Sequence, residues 1–342
     1  MILETGDARL KIVFMGTPDF AAAVLAKVLA AGVFNVAGVY CQPDRPCGRG
    51  HKCAPSPSKI LALQHGLPVY QPLNFKEPEA FTQLASLQPD VLLVAAYGLI
   101  LPQSVLDIPR LGPWNVHASL LPRFRGAAPI QRAILGGETQ TGITIMRMEA
   151  GLDTGPMLLK QSLPIDPDET AGALHDRLAS LGGDMVVEAL GLLADGPVTT
   201  TPQDGSQATY AQKILKEDTF IHWDNPVSLV HNHIRAMSPR PGASFSVSVP
   251  GETPGLNRQI RLQTLPGVPK QGVAGQTPPG RILGLSGGML SIACADGIYL
   301  IPSVKPEGRQ WMDAAAFCCG YLNKIDPGLP LVCPPPRELL KR

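Results

Sequence analysis

The sequence predicts an α/β chain: an open, mostly parallel sheet with helices on both faces, then a small β-barrel. Three observations lead there. Short apolar runs alternate with helical stretches over roughly the first two hundred residues, as in a parallel sheet. A polar, turn-rich run from Thr199 to Ser206 carries neither hydrophobic period and reads as an interdomain linker. Beyond it, short segments are separated by Gly and Pro, the pattern of a small barrel.

The elements follow in order. Leu10 to Met15 is a short buried strand, and Gly16-Thr17-Pro18-Asp19 turns it into an Ala-rich helix with Pro18 in the first turn, where its missing N–H costs nothing. A strand over Asn35–Tyr40 precedes a long loop. Then come a helix at Pro57–His65, a strand at Pro68–Tyr70, a helix at Phe75–Leu87 and a strand at Asp90–Ala95. A strand is expected over 113–117 and a helix over Thr170–Ala194. The rear strands are Ser244–Val249, Gln259–Thr264, Gly280–Leu285, Leu290–Ala293 and Gly297–Pro302. The domain boundary is set near residue 206. Open sheets of this type bind ligands beyond the carboxyl ends of their strands, where strand order reverses, so the chemistry is expected there.

Composition bounds the class. With 342 residues, 44% hydrophobic and 17% charged, the chain is too apolar for disorder and long enough for two domains. The longest apolar stretches, such as Val91 to Ala96, fall far short of the ~20 residues of a membrane span. Met1 to Leu10 carries Glu4 and Asp7 with one Arg9, unlike a secretory signal or transit peptide, so a cytoplasmic location is expected. Seven scattered Cys point to reduced thiols rather than a disulfide framework. Residues 1–204 hold 15 basic and 19 acidic side chains, residues 205–342 hold 14 and 9. The basic rear is compatible with a polyanionic partner or with a chance excess of charge.

The most informative stretch is Trp114-Asn115-Val116-His117-Ala118-Ser119-Leu120-Leu121-Pro122. On a strand, Asn115 and His117 project to the same face. Imidazole moves protons near neutral pH, and an amide donates to a developing oxyanion without changing charge. Gly151-Leu152-Asp153-Thr154-Gly155 puts a carboxylate on a tight loop, able to orient an imidazole. Taken alone, an Asn-x-His pair and an Asp between glycines are more often structural.

Several segments together resemble the methionyl-tRNA formyltransferase family: Gly16-Thr17-Pro18-Asp19-Phe20-Ala21, Gln42-Pro43-Asp44-Arg45-Pro46 with Gly48-Arg49-Gly50, Ala96 to Pro102, Asn115-Val116-His117, Ser119 to Arg123, Arg125 to Gln131, and Gly142 to Met146 running into the Gly151–Gly155 loop. The resemblance spans residues 11 to 215, with weaker echoes to Asp313. It implies a Rossmann-like catalytic domain over 1–206 and an OB-like tRNA-binding domain over 207–342. The implied reaction is transfer of the formyl group of 10-formyltetrahydrofolate to the α-amino group of methionine on initiator tRNA.

By position, the catalytic residues implied are Asn115, His117 and Asp153, and the folate contacts are Ser119, Leu120, Leu121 and Pro122. Asn115 and protonated His117 would stabilise the oxyanion, while Asp153 would hold the imidazolium and accept the amine proton. No metal is required. Ala118 stands where the family usually has Gly.

The stretch from Cys41 to Pro57, with Arg45, Arg49, Lys52 and nearby Lys59 against Asp44, reads either as a mobile basic segment suited to tRNA phosphates or as a merely solvated charged loop; in the family it recognises the acceptor stem. Cys41, Cys47, His51 and Cys53 could ligate zinc, although their spacing fits no usual paired-Cys site. In the rear domain Lys213, Lys305 and Arg309 are the phosphate contacts expected. Oligomeric state is not legible, and a monomer is the working expectation. The rivals are formyl-folate enzymes acting on a sugar nucleotide, a purine precursor or water, for which the basic segment has no use; a non-catalytic RNA-binding protein, which leaves the front constellation without purpose; and a nicotinamide dehydrogenase, whose Gly-x-Gly-x-x-Gly turn is missing after the first strand.

Overall fold

A computed structural model of the chain describes residues 9–47, 52–250, 257–272 and 277–322, without side chains at 46, 47, 52, 53, 250, 257 and 258. The chain divides into two compact units. The first comprises the chain to Pro129, Gln140–Pro164 and His175–Ala211; the second comprises Ile130–Thr139, Ile165–Leu174 and the chain from Gln212.

The first unit opens with β1 (Lys11–Gly16), α1 (Asp19–Ala31) and β2 (Asn35–Tyr40). Pro18 is the N-cap of α1, one position earlier than expected, and Phe20, Ala21, Val24, Leu25 and Val28 form its buried stripe. Within the stretch expected as a long loop, β3 (Arg45–Cys47) and β4 (Lys52–Ala54) pair antiparallel. Next come α2 (Pro57–Gln64), β5 (Val69–Tyr70), α3 (Pro78–Ser86) and β6 (Val91–Ala95). Ser56 caps α2 by accepting from the Lys59 N–H, with Pro57 in the first turn. After α4 (Gln103–Leu106), β7 (Pro113–His117), β8 (Arg125–Gly126) and α5 (Pro129–Leu135) come β9 (Gln140–Arg147), β10 (Met157–Pro164) and α6 (Ala171–Asp195).

The main sheet has seven strands in the order β10-β9-β7-β6-β1-β2-β5. From β5 to β7 every pairing is parallel, whereas β7–β9 and β9–β10 are antiparallel. Strand order reverses between β1 and β6. β6 is buried at all five positions, as a strand covered on both faces must be. Val13, Met15, Tyr40, Leu92 and Val94 pack with Phe75, Leu84, Leu101 and Val105 in one core.

The polar run read as a linker is built into this unit. Thr201 bridges to Met157, and β11 (Tyr210–Ala211) pairs with β8. Backbone bonds at Thr201 and the Gln203 side chain's bonds to the Asp153 and Gly155 carbonyls hold it, and such bonds leave no hydrophobic period to read.

In the second unit, α7 (Val227–Ala236) buries Val227, Val230, His231 and Ile234, one helical face. β12 (Ala243–Pro250) and β13 (Asn257–Thr264) are followed by β14 (Val268–Gln271), β15 (Ile282–Ser286), β16 (Met289–Ala293), β17 (Gly297–Ile301), β18 (Ser303–Pro306) and β19 (Met312–Asp313). They form two four-stranded antiparallel sheets, β12-β13-β18-β19 and β14-β17-β16-β15, in keeping with the small barrel expected. Among the described residues, no helix is long and apolar enough to cross a membrane. Cys41 and Cys294 are buried free thiols.

Candidate active site

At the reversal point the loops after β1, β2 and β6 are tied together. Gln42 Nε2 and Thr17 Oγ1 both donate to the Tyr97 carbonyl, at 3.0 and 3.2 Å, and the Gln42 N–H donates to Thr17 Oγ1 at 3.2 Å. The polar side chains that carry chemistry lie one strand further on, at the carboxyl end of β7.

There, Asn115 and His117 share a face, in register with Met146 and Thr144 of β9. Asn115 is half-buried and makes no side-chain hydrogen bond among the described residues, so its amide N–H groups remain for a ligand. His117 is buried. Its Nε2 lies 2.9 Å from the Phe124 carbonyl and its Nδ1 lies 3.6 Å from Asp153 Oδ2. A carbonyl accepts and cannot donate, so Nε2 carries a proton and Nδ1 is the nitrogen turned to the carboxylate.

Asp153 Oδ2 also accepts the Gly126 N–H at 2.8 Å, and Oδ1 has no hydrogen-bond partner among the described residues. The loop reaches this point by a tight path. Gly155 sits against the Arg147 carbonyl, where a Cβ would collide with it, and Asp153 has φ +51°, a conformation few residues other than glycine adopt. Phe124, whose carbonyl faces His117, is likewise at φ +60°.

The Ser119–Pro122 turn is held from within. Ser119 is fully buried and its hydroxyl donates to the Arg123 carbonyl at 2.6 Å; Thr144 Oγ1 donates to the Ser119 carbonyl at 2.7 Å and accepts the Leu121 N–H at 3.2 Å. Leu121 is buried with Met146 and Met157, worth about 2 kcal/mol. Gly142 runs against β10, where a Cβ would collide with the Gln161 carbonyl and also press on Leu120 Cδ2. Of this tetrapeptide, Leu120 and Pro122 are only half-buried, so a ligand would meet them and the backbone.

The basic segment is only partly as expected. Arg45 is exposed and donates to Gln42 Oε1 at 2.8 Å. Lys59 is not a free cation: its Nζ lies 2.6 Å from Asp44 Oδ2 and 2.7 Å from Gln71 Oε1. The Lys59 bond, together with the Gln71 Nε2–H donated to Asp44 Oδ1 at 2.8 Å, holds the Asp44 carboxyl below its ordinary range. Arg49 and His51 lie outside the described residues, as do the side chains of Cys47, Lys52 and Cys53. In the second unit Lys213 and Arg309 are exposed and Lys305 is half-buried on β18. Among the described residues, no group of three or more His, Cys, Asp or Glu could hold a metal ion.

Sequence reasoning brought His117 and Asp153 together but assigned nothing to Thr144, Arg125 or Gln203. Thr144 and Arg125 lie inside motifs already noted. Gln203 lies in the run read as a linker, and its signal is visible only in three dimensions.

Comparison with known proteins supplies the context. The model of the formyl transferase family matches residues 10–190, and that of the formyl transferase C-terminal domain matches 213–322. A methionyl-tRNA formyltransferase of Nitratidesulfovibrio vulgaris (strain DP4) is 49% identical over 94% of this chain and 96% of its own length; that of Aromatoleum aromaticum is 49% identical over 92% and 95%. Among solved structures, HypX from Aquifex aeolicus in complex with tetrahydrofolic acid shares the fold, with a TM-score of 0.62 and 17% identity over 92% of this chain and 48% of that one.

Proposed function

We infer the reaction from the family: the chain belongs to the methionyl-tRNA formyltransferase family. It transfers the formyl group of 10-formyltetrahydrofolate to the α-amino group of methionine on initiator tRNA, supplying formylmethionyl-tRNA for translation initiation.

The proposed site is Asn115, His117 and Asp153. The neutral amine attacks the formyl carbon, forming a C–N bond, an oxyanion and a cationic nitrogen. The Asn115 amide donates to the oxyanion, and the His117 imidazolium stabilises it through its charge, both its N–H groups being turned to protein oxygens. Asp153 Oδ1, the oxygen without a protein partner, accepts the amine proton, directly or through water. As the adduct collapses, the bond from the formyl carbon to the folate nitrogen breaks and that nitrogen takes up the proton Asp153 had accepted, directly or through water. Leu120, Pro122 and the backbone of Ser119 and Leu121 would bound the folate. The observation that carries this assignment is the 3.6 Å approach of His117 Nδ1 to Asp153 Oδ2 beside an unengaged amide.

Arg45, Arg49 and Lys52 in the first unit, with Lys213, Lys305 and Arg309 in the second, are proposed to contact tRNA phosphates. The enzyme is proposed to work in the cytoplasm as a monomer. The test is transfer of labelled formyl to methionyl initiator tRNA, with elongator tRNA, uncharged tRNA and a sugar nucleotide as controls. Label in the initiator product alone supports the reading; equal transfer to the sugar nucleotide would overturn it.

A further inference from the structure

Arg125 is a buried cation whose named partner is a neutral amide. Only 6% exposed, it donates through Nε at 3.1 Å and Nη2 at 2.8 Å to Oε1 of Gln203. The other end of that amide faces the catalytic loop: Gln203 Nε2 donates to the carbonyls of Asp153 and Gly155, both at 2.8 Å. The orientation is fixed by chemistry, because only the oxygen can accept from a guanidinium and only the nitrogen can donate to two carbonyls. Arg125 and Gly126 thus hold Asp153 twice, Gly126 by the carboxylate and Arg125 through Gln203 by the backbone.

Asp153 needs such a hold. A non-glycine residue at φ +51° costs on the order of 1 kcal/mol and persists only where surrounding contacts over-determine it. The same segment also reaches the imidazole. Thr209 accepts the Phe124 N–H on its hydroxyl and the Arg125 N–H on its carbonyl, both at 2.8 Å, and the Phe124 carbonyl faces His117. All of these residues belong to the first unit.

We propose that Gln203, anchored by Arg125, is a positioning residue for formyl transfer that keeps the Asp153 carboxylate in register with His117. The proposal rests on the assignment of Asp153 and His117 made above. Gln203→Leu removes both ends of the amide; Gln203→Glu keeps an acceptor for Arg125 and loses both donors to the loop. Each is measured alone and in an Asp153→Asn background for kcat, KM, Tm and the 15N signals of the His117 ring.

A misplacement of about 1 Å costs roughly 10²-fold in rate. Each variant is accordingly expected to lower kcat about 10- to 100-fold, with KM for both substrates within about threefold. Gln203→Leu should add less than about threefold to Asp153→Asn, since coupled residues are not additive. The His117 signals should move toward their Asp153→Asn positions. A kcat within about threefold of wild type, a loss that multiplies in full on Asp153→Asn, or a loss residing in KM would overturn the proposal. If Gln203→Leu does not fold, Gln203→Glu and the ring signals decide. Those signals are read without turnover, so a wild-type protein that failed to formylate would remove the reaction and leave this test intact.

Discussion

Two aspartates sit in Gly- and Pro-rich loops of the first unit, and each is served by a glutamine. At Asp44, Gln71 Nε2 donates to the carboxylate itself at 2.8 Å, and Lys59 pairs with it at 2.6 Å. At Asp153, Gln203 binds the main chain and leaves the carboxylate facing an imidazole, with one oxygen unengaged. The ingredients are alike. What separates a structural carboxylate from one available for chemistry is whether its partners fill its oxygens or its backbone.

Substitutions on the catalytic side of that contrast should be far costlier than those on the structural side. His117→Ala is expected to lower kcat about 10³-fold while tRNA affinity and Tm persist; near-normal turnover would remove His117 from the mechanism. Arg45→Ala, at the start of β3 beside Asp44, should raise KM for tRNA about tenfold with KM for the folate unchanged. It should also reduce by about one the slope of log affinity against log salt. Equal loss toward both substrates would mark a folding defect instead.

Lys59→Met, which unpairs Asp44, should leave kcat within about twofold and lower Tm by only about 1–3 °C, because half-exposed ion pairs contribute little. The Asp44 carboxyl is held below its ordinary 3.8, so what the pairing contributes is present above that pH and is lost as pH falls through the depressed value. The Tm values of wild type and Lys59→Met should therefore begin to converge below about pH 4 and meet only below the depressed value.

The smallest effect separates the two units. Burial pushes the His233 imidazole of α7 down to about 4 from an ordinary 6.5. The unfolded chain then binds more protons between those values, so stability falls as pH drops from 6.5 to 4. His233→Gln should flatten that decline; an unchanged Tm profile would show that the buried ring does not set the acid limit.

The strands β1, β2, β6 and β7 are legible because their buried runs are short and bounded by turns. The antiparallel pair β9–β10 is harder to read: β9 is buried at six consecutive positions with no alternation, and β10 is a mostly exposed edge. In α7 the apolar spacing is diluted by Ser228, His231, Asn232 and His233, of which His231 is buried on a hydrogen bond to the Tyr299 hydroxyl. Asn115, His117 and Asp153 stood out through motif and resemblance. Gln203 did not, because a side chain that serves another loop's carbonyls leaves no local pattern.

The most direct measurement is the single-turnover rate of Asp153→Asn in formyl transfer to methionyl initiator tRNA, with both substrates saturating. A carboxylate that both holds the imidazolium and takes the amine proton predicts a rate at least about 10²-fold below wild type, with tRNA binding unchanged. A rate within about threefold of wild type would contradict it.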